Sequence, residues 1–286
     1  MVDDNQGATA AATPITVCAD SAEHASQLLQ NAHAAGQSVL PCGNQSRQAR
    51  IAPTAKADCW LSMANCQKML WLDAEDQTCE VQAGMTVTVL NQHLDGTGLE
   101  LALMCRGAQT GTLGGLFMSA EPSLLASSCG PSRDFVLGGG WILANGKSVR
   151  SGSRVVKSVA GYDVTRLMLG SRGQLAINSS LILRLRPAPR ELHYYSLEAA
   201  LWPELRNQIA PARLLFPSKE CGQMLLQFAN LKVQHASLTA VDFGQAEAQR
   251  LEHVEQMTTL LPAASPWLQA TAEACAPGAA HFGRRP

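Results

Sequence analysis

The feature that most constrains this chain is a glycine-rich stretch over residues 107–187, in which glycine clusters alternate with short apolar, β-rich runs. One cluster holds Gly111, Gly114 and Gly115, and a later one is centred on Gly161. Glycine has no Cβ, so it can turn at positive φ and bring main-chain N–H groups close to a ligand's oxygens. Loops with a purely structural role rarely need so many glycines at which the backbone can turn sharply or approach a ligand. The stretch predicts separated loops that hold a dinucleotide.

Composition sets limits on the class of protein. The 286 residues are long enough for two domains, and 46% hydrophobic with 16% charged residues is typical of a globular chain. The formal net charge of −1 argues against a nucleic-acid partner. We see no apolar run long enough to cross a bilayer and no secretory signal, so we expect a cytoplasmic protein without a direct membrane span.

The cysteines do not form a metal-binding pattern. Nine are present, none in a Cys-x-x-Cys arrangement, which argues against an iron–sulfur ladder or a zinc ribbon. We therefore expect reduced, structural thiols and no metal site.

A first loop, residues 43–46, follows a predicted strand–helix–strand unit over residues 15–42. Asn44, Gln45 and Ser46 offer side-chain donors, and Gly43 opens the backbone for a phosphate group. Taken alone, the segment fits an ordinary turn at the end of a strand better than a phosphate site.

A second loop, residues 110–115, precedes a predicted helix over residues 116–120. The Leu113-Gly114-Gly115 segment is placed to begin that helix and to direct its N–H groups at an anion. Residues 140–148 miss the P-loop spacing by one residue, and Asn145-Gly146 fits a β-hairpin much better.

Local signals also predict where helices begin and where strands run. Asp20 or Ser21, Thr86 and Asp163 are predicted N-caps, and Gly36 is predicted to end the first helix. Short strands are predicted over residues 134–137, 140–144, 175–177 and 180–185.

The order of elements predicts an α+β fold, because short strands and helices alternate without a repeat. Residues 1–190 form the predicted main domain, which ends near Pro187 and Pro189. Residues 191–262 form a predicted smaller α+β domain of strands over 193–200, 213–216, 224–229 and 237–241, with helices over 201–209 and 245–261. Residues 263–286 are a predicted tail.

Several ordered motifs carry a family resemblance over residues 15–190. The chain resembles the FAD-binding domain of the p-cresol methylhydroxylase (PCMH) and vanillyl-alcohol oxidase superfamily, and within it the E-type flavin subunits of glycolate oxidase. The motifs are residues 40–46, 81–84, 112–115, 133–138 and, most specifically, 156–167, which reads VKSVAGYDVTRL.

This resemblance implies a PCMH-type two-part FAD-binding domain, with the flavin stretched between its halves, followed by a shortened α+β cap domain. It implies that the first loop contacts the pyrophosphate, that the second loop contacts phosphate and ribose, and that later residues line the flavin. The implied cofactor-binding residues are Gly43, Asn44, Gln45, Ser46, Thr110, Gly111, Thr112, Leu113, Gly114, Gly115, Gly161, Tyr162, Asp163 and Ile177.

The same resemblance bears on how FAD is held. Many relatives carry a histidine in the first loop that is bonded covalently to the flavin. Gln45, Ser46 and Arg47 occupy that region here, so we expect non-covalent FAD.

The implied function is that of an oxidoreductase, a flavoprotein subunit of a glycolate oxidase-like complex. It would oxidise a small 2-hydroxy acid, glycolate to glyoxylate, by hydride transfer to flavin. The implied partners are a sister FAD subunit and an iron–sulfur subunit, through which any membrane association would come. The catalytic base is not assigned. His193 and His235 are candidates, each more typical of a satisfied or surface histidine, and Arg213 is a candidate carboxylate clamp.

Two alternatives stay open at this point. The first loop is bulkier than the usual glycine run, which would suit a non-catalytic assembly subunit that kept the fold and lost FAD. The second alternative is an FAD-linked dehydrogenase of another hydroxy acid or of a sugar alcohol.

Overall fold

The structure is a computed structural model that describes residues 15–46, 57–105, 107–153, 163–205, 214–217, 223–230, 232–233, 238–242 and 245–246. The predicted tail and the predicted helix beyond residue 246 lie outside these ranges, as do Gly161 and Tyr162.

The chain opens with a three-stranded parallel sheet and one helix. The strands are β1 (Ile15–Cys18), β2 (Val39–Cys42) and β3 (Cys59–Ser62), with β3 in the middle. Helix α1 (Ala22–Ala34) begins at the predicted N-cap Ser21, whose Oγ accepts a hydrogen bond from the His24 N–H at 3.1 Å. It ends before Gly36, which has the φ of +65° that favours glycine. Both helix boundaries are confirmed.

A five-stranded antiparallel sheet forms the larger layer. Its strands are β4 (Met69–Asp73), β5 (Thr78–Gln82), β7 (Val136–Ile142), β8 (Ser148–Gly152) and β9 (Ile177–Arg184), in the order β4-β5-β9-β7-β8. A short pair, β6 (Leu99–Glu100) and β10 (Arg186–Pro187), lies apart from it.

Two pairs of predicted short strands are each one continuous strand. Residues 136–142 form β7, with residues 132–135 in a 3-10 turn, and residues 177–184 form β9. The glycines within β7 let its neighbouring strands approach closely. A Cβ on Gly138 would lie 2.4 Å from the Ser151 carbonyl oxygen, and one on Gly139 would lie 2.3 Å from the Ser180 carbonyl oxygen.

Short helices cover this sheet and close the main core. They are α2 (Val87–Leu94), α3 (Leu113–Met118), α4 (Ala126–Cys129) and α5 (Val164–Met168). Thr86 caps α2 and Asp163 caps α5, as predicted. Leu90, Leu116 and Trp141 are buried together in the resulting core.

One carboxylate lies buried within the five-stranded sheet. Glu80 of β5 accepts hydrogen bonds from Ser180 Oγ at 2.7 Å and from Trp71 Nε1 at 2.9 Å, and it pairs with Arg150 at 2.9 Å. Burial raises the pKa of Glu80, but the hydrogen bonds from Ser180, Trp71 and Arg150 outweigh burial and hold the pKa below its ordinary value. The cluster links β5, β9, β4 and β8.

A second, antiparallel sheet follows, with strands β11 (Leu192–Glu198), β12 (Leu214–Pro217), β13 (Gln223–Ala229) and β14 (Thr239–Val241) in the order β12-β13-β11-β14. Tyr194 and Leu225 pack against the main core, whereas Tyr195 and Phe228 belong to a separate cluster. The predicted helix over 201–209 is a 3-10 turn (Ala199–Leu201) followed by α6 (Trp202–Leu205), and residues 206–209 lie outside the description.

The α+β class is confirmed, while the boundaries at residues 190 and 262 stay predictions. Within the described ranges, no helix combines the length and the apolar character that a bilayer crossing requires.

Candidate functional site

A cleft opens where β2 ends, between the three-stranded sheet, helix α3 and the start of β9. Its volume, measured by the centres of water-sized spheres, is about 110 Å³. That is room for several ordered waters or for part of an extended ligand. Twenty of the described residues line it, and they come from segments that are far apart in the sequence.

The cleft brings together eight of the predicted site residues. Both glycine-rich loops and the first residue of β9 contribute to its wall, as the sequence analysis expected. These eight are Gly43, Asn44, Gln45, Ser46, Thr112, Gly114, Gly115 and Ile177.

Four other predicted residues lie elsewhere. Leu113 is fully buried in the main core, and Asp163 caps α5, where its Oδ1 accepts a hydrogen bond from the Arg166 N–H at 2.9 Å. Thr110 and Gly111 begin the second loop and do not line the cleft. Gly161 and Tyr162 lie outside the described residues.

The first loop presents backbone donors. Its carbonyl group at Gly43 accepts from Ser62 Oγ at 3.1 Å, and the Gln45 side chain donates to Thr16 Oγ1 at 3.0 Å. Gln45 has a φ of +54°, an uncommon conformation for a residue with a side chain. Within the described part of the chain, the N–H groups of residues 43–46 have no protein acceptor. The loop can therefore donate to ligand oxygens.

The second loop has already used its backbone donors. The Leu113 N–H donates to the Met85 carbonyl at 2.7 Å, and the Gly114 N–H donates to the Ala83 carbonyl at 2.8 Å. The Gly115 N–H donates to Thr112 Oγ1 at 3.2 Å. These three N–H groups are not directed at an anion, contrary to the expectation from the sequence. The reason is that the start of α3 packs directly on the turn after β5.

The two loops are in contact with each other. Asn44 Nδ2 donates to the Thr110 carbonyl oxygen at 2.8 Å. A Cβ on Gly43 would lie 2.2 Å from Thr112 Oγ1, so only glycine fits there without movement of Thr112. The loops therefore form adjoining parts of one site.

Two buried polar atoms in the cleft wall have no hydrogen-bond partner among the described residues. They are Trp60 Nε1, a donor, and Asn178 Oδ1, an acceptor. The Asn178 amide nitrogen is fully used, since it donates to the carbonyls of Gly140 at 3.1 Å and Ser180 at 2.8 Å. Buried polar groups without a partner are unfavourable, so these two atoms suit a bound ligand. No sequence motif pointed to either residue, because each lies in an ordinary strand.

Arg172 is a further residue that sequence reasoning missed. It lines the cleft from the turn between α5 and β9, with a φ of +56°. Burial lowers the pKa of its guanidinium group. The signal in the sequence was the Gly170-Ser171-Arg172-Gly173 segment, which predicts a turn but not its position.

One further titratable residue, Cys42, lies in the cleft wall, and the histidine and arginine candidates from the sequence are not among the described residues of that wall. Cys42 lines the cleft, and burial raises the pKa of its thiol, which keeps it protonated at neutral pH. His193 lies on β11 with its Nε2 3.1 Å from Glu191 Oε2, and it does not line the cleft. His235 and Arg213 lie outside the described residues.

Sequence comparison with known proteins points to a flavin-binding domain. Residues 13–152 match the family described as FAD binding domain. The chain is 33% identical over 129 residues to glycolate oxidase subunit GlcD of Bacillus subtilis, which is 45% of this chain and 27% of that protein. It is 48% identical over 61 residues to glycolate oxidase subunit GlcE of Escherichia coli, 21% of this chain and 17% of that protein.

A third relative is more extensively matched. The D-lactate dehydrogenase of Anaerostipes hadrus is 28% identical over 214 residues, 72% of this chain and 45% of the relative. The matched segments span less than half the length of each of these three relatives.

Structural comparison agrees on the fold. An alkyldihydroxyacetonephosphate synthase superposes with a TM-score of 0.62 and 19% sequence identity, over 75% of this chain and 47% of that protein. At this identity the likeness concerns architecture, and it confirms the PCMH-type α+β class.

Proposed function

We propose that this chain, whose residues 13–152 match the family described as FAD binding domain, is the FAD-binding subunit of a glycolate oxidase-like complex. In this role it takes part in the oxidation of a small 2-hydroxy acid, with glycolate as the first substrate to test. The observation that carries the proposal is the contact between the two loops at one cleft, on whose wall the first loop carries unpaired N–H groups.

The residues of the cleft fit the cofactor of this family. The N–H groups of the first loop suit pyrophosphate oxygens. Trp60 Nε1 and Asn178 Oδ1 add a buried donor and a buried acceptor for the polar edge of a ligand. The described part of the first loop contains no histidine, in keeping with FAD held without a covalent bond.

Bound FAD supplies the chemistry of the reaction, because it accepts the hydride from the α-carbon of a 2-hydroxy acid. The chain's own contribution is to bind and orient. Leu40, Met63 and Met118 form an apolar part of the cleft wall that keeps water from a bound ring system. We assign no residue of this chain as the base that takes the hydroxyl proton.

The proposed cofactor-binding set rests on the eight predicted residues that line the cleft, and the other six named from the sequence are proposed by resemblance alone. The first loop is the proposed pyrophosphate contact, the second loop the contact for phosphate and ribose, and Ile177 the contact near the flavin. Gly161, Tyr162 and Asp163 are proposed as further flavin contacts by resemblance.

The proposed partners follow from the relatives. GlcD and GlcE are both named as subunits of glycolate oxidase, and this chain is similar to both. We propose assembly with a sister FAD subunit and with an iron–sulfur subunit that accepts the electrons, in the cytoplasm and with any membrane association made through the partners. The small sheet after residue 190 is the proposed cap over the substrate.

The first experiment is an absorption spectrum of the purified full chain after incubation with excess FAD and removal of unbound cofactor. We expect a flavin spectrum, with the colour released by acid precipitation because the FAD is not covalently bound. Glycolate, D-lactate and a sugar alcohol are then added separately to the chain with its partner subunits. We expect the 2-hydroxy acids to bleach the flavin and the sugar alcohol to leave it unchanged. A chain that stays colourless contradicts the proposal, and bleaching by the sugar alcohol would replace the substrate class.

A second candidate function is a non-catalytic assembly subunit, and one contact favours it. The Asn44 side chain, which is bulkier than the glycine expected in this loop, bridges to the Thr110 carbonyl across the junction of the loops. If this bridge blocks the cofactor, the wild-type chain will co-purify with its partners without flavin, and Asn44→Gly will gain flavin binding. Flavin in the wild-type chain with glycolate-dependent dye reduction excludes this candidate.

A further inference from the structure

Arg172 occupies a position between the elements that carry the two loops. Its N–H donates to the Met118 carbonyl at 2.8 Å, at the end of α3, the helix that follows the second loop. A Cβ on the next residue, Gly173, would lie 3.0 Å from the Pro41 side chain, two residues before the first loop. The turn is thus held against β2 on one side and α3 on the other.

Arg172 gives a positive charge to the described part of the cleft wall. Among the described residues that line the cleft, Arg172 is the one that is ionised at neutral pH, since burial keeps the Cys42 thiol protonated. The lowered pKa reflects partial loss of solvent around the guanidinium group, which stays charged because arginine titrates far above neutral pH. A partly desolvated cation attracts an anionic ligand, and the described residues of the cleft wall include no carboxylate.

We propose that Arg172 binds the pyrophosphate of the dinucleotide and sets the preference of this cleft for FAD over flavins that lack a phosphate. The inference rests on the proposed cofactor. Pyrophosphate is favoured over a substrate carboxylate because the Gly173–Pro41 contact places the turn beside the first loop, where the unpaired N–H groups lie. A guanidinium group and backbone N–H groups together can satisfy several phosphate oxygens.

The test measures dissociation constants of the apo-protein for FAD and for riboflavin, by quenching of flavin fluorescence at low and high salt. Arg172→Gln removes the charge, and Arg172→Lys keeps it without the fork of donors. Lys147→Gln is the matched control, since Lys147 lies exposed in the hairpin turn outside the cleft.

For Arg172→Gln we expect FAD binding to weaken by about 10- to 100-fold, the range of a hydrogen bond to a charged group. Arg172→Lys should weaken it less, and riboflavin binding should not change in either variant. The salt dependence of FAD binding should be smaller in Arg172→Gln than in the wild type. Lys147→Gln should match the wild type.

Three results would overturn the inference. Unchanged FAD affinity in Arg172→Gln would do so, as would an equal loss for FAD and riboflavin, which indicates a packing role. A raised KM for the 2-hydroxy acid with unchanged FAD affinity would assign Arg172 to the substrate carboxylate instead. Each of these leaves the proposed function in place, whereas a wild-type chain that binds no FAD overturns both. If Arg172→Gln does not fold, Arg172→Lys and the wild-type salt dependence decide the question.

Discussion

The two loops are both rich in glycine or small polar residues and both reach the same cleft, yet they use their backbones differently. The first loop, residues 43–46, has N–H groups without protein acceptors in the described part of the chain. The second loop, residues 110–115, has donated the N–H groups of Leu113, Gly114 and Gly115 to acceptors inside the fold. Glycine content alone therefore does not distinguish a loop whose backbone N–H groups are available to a ligand from one whose N–H groups are used within the fold.

The glycines themselves show the same division. Gly114 allows α3 to approach the turn after β5, since a Cβ there would lie 2.9 Å from the Ala83 Cβ and 3.2 Å from Asn178 Oδ1. Gly43 allows the first loop to approach the second at Thr112. Gly114 thus permits close packing inside the fold, and Gly43 permits close contact between the two loops.

The largest effect is expected from Glu80→Ala, which alters β5 of the five-stranded sheet, the strand that precedes the turn on which the second loop packs. The substitution leaves the Ser180 hydroxyl and the Trp71 N–H without their charged acceptor, at a loss of about 3 kcal/mol in the free energy of unfolding; Arg150 is mostly exposed and adds little. Urea denaturation measures it. Glu75→Ala, in the exposed turn before β5, is the control and should change stability little. Equal midpoints for the two variants would contradict the role given to Glu80.

The same carboxylate predicts a pH dependence. Because the folded pKa of Glu80 lies below its unfolded value, its contribution is fully present above the unfolded pKa of about 4.3 and is lost as the pH falls through the folded value. The difference in unfolding free energy between the wild type and Glu80→Gln should therefore shrink when urea titrations are taken from pH 6 down to pH 3. A difference that stays constant, or grows, would show that the ionised form is not preferred in the folded chain.

The junction between the loops is tested by Gly43→Ala. The new methyl group would collide with Thr112, so we expect a loss of about 2 kcal/mol in stability and a weaker affinity for FAD. A double-mutant cycle is the measurement. The loss should be smaller in a Thr112→Ala background, since the colliding atoms are gone; an additive cycle would mean that the loops do not press on each other at this point.

Asn178→Ala examines the acceptor that faces the second loop. The variant leaves the carbonyls of Gly140 and Ser180 without this donor, for which we expect about 1 to 2 kcal/mol of lost stability. Loss of Oδ1 should also weaken FAD binding several-fold, measured by fluorescence titration. Asn65→Ala, at an exposed amide, controls for loss of an amide side chain. Unchanged FAD affinity would show that Oδ1 does not contact the cofactor.

The smallest effect is expected from Thr112→Ala, and it addresses the comparison directly. Thr112 Oγ1 caps α3 by accepting from the Gly115 N–H, so its loss should lower stability by about 1 kcal/mol. FAD affinity should stay within a few-fold of the wild type, because the cap serves the helix. Thr112→Ser retains the hydroxyl and should restore stability. A large loss of FAD affinity in Thr112→Ala alone would show that the Thr112 hydroxyl itself holds the cofactor rather than the helix.

Local features were predictable from the sequence. The caps at Ser21, Thr86 and Asp163 and the stop at Gly36 depend on groups within four residues, and the structure confirms each. The strand division was wrong at residues 134–144, where Gly138, Gly139 and Gly140 lie within one continuous strand, β7. They permit close pairing with β8 and β9, which are distant in the chain.

The candidate site was also predictable only in part, because some of its residues lie in local motifs and others are brought in by distant strands. The loops carried a recognisable order of residues, so their glycines could be named in advance. Trp60, Asn178 and Arg172 carried no such pattern, since each becomes relevant only when β3, β9 and the turn before β9 are brought beside the first loop.

By itself the sequence determined the helix caps, the α+β class, the family resemblance and the two loops that meet at the cleft, because these depend on short-range periodicity, capping and motif order. Only the tertiary structure decided which loop keeps free donors, which buried atoms lack partners and where the charge of the cleft lies. Those properties depend on which distant carbonyl, hydroxyl or side chain comes within hydrogen-bond distance, and that is set by packing between layers.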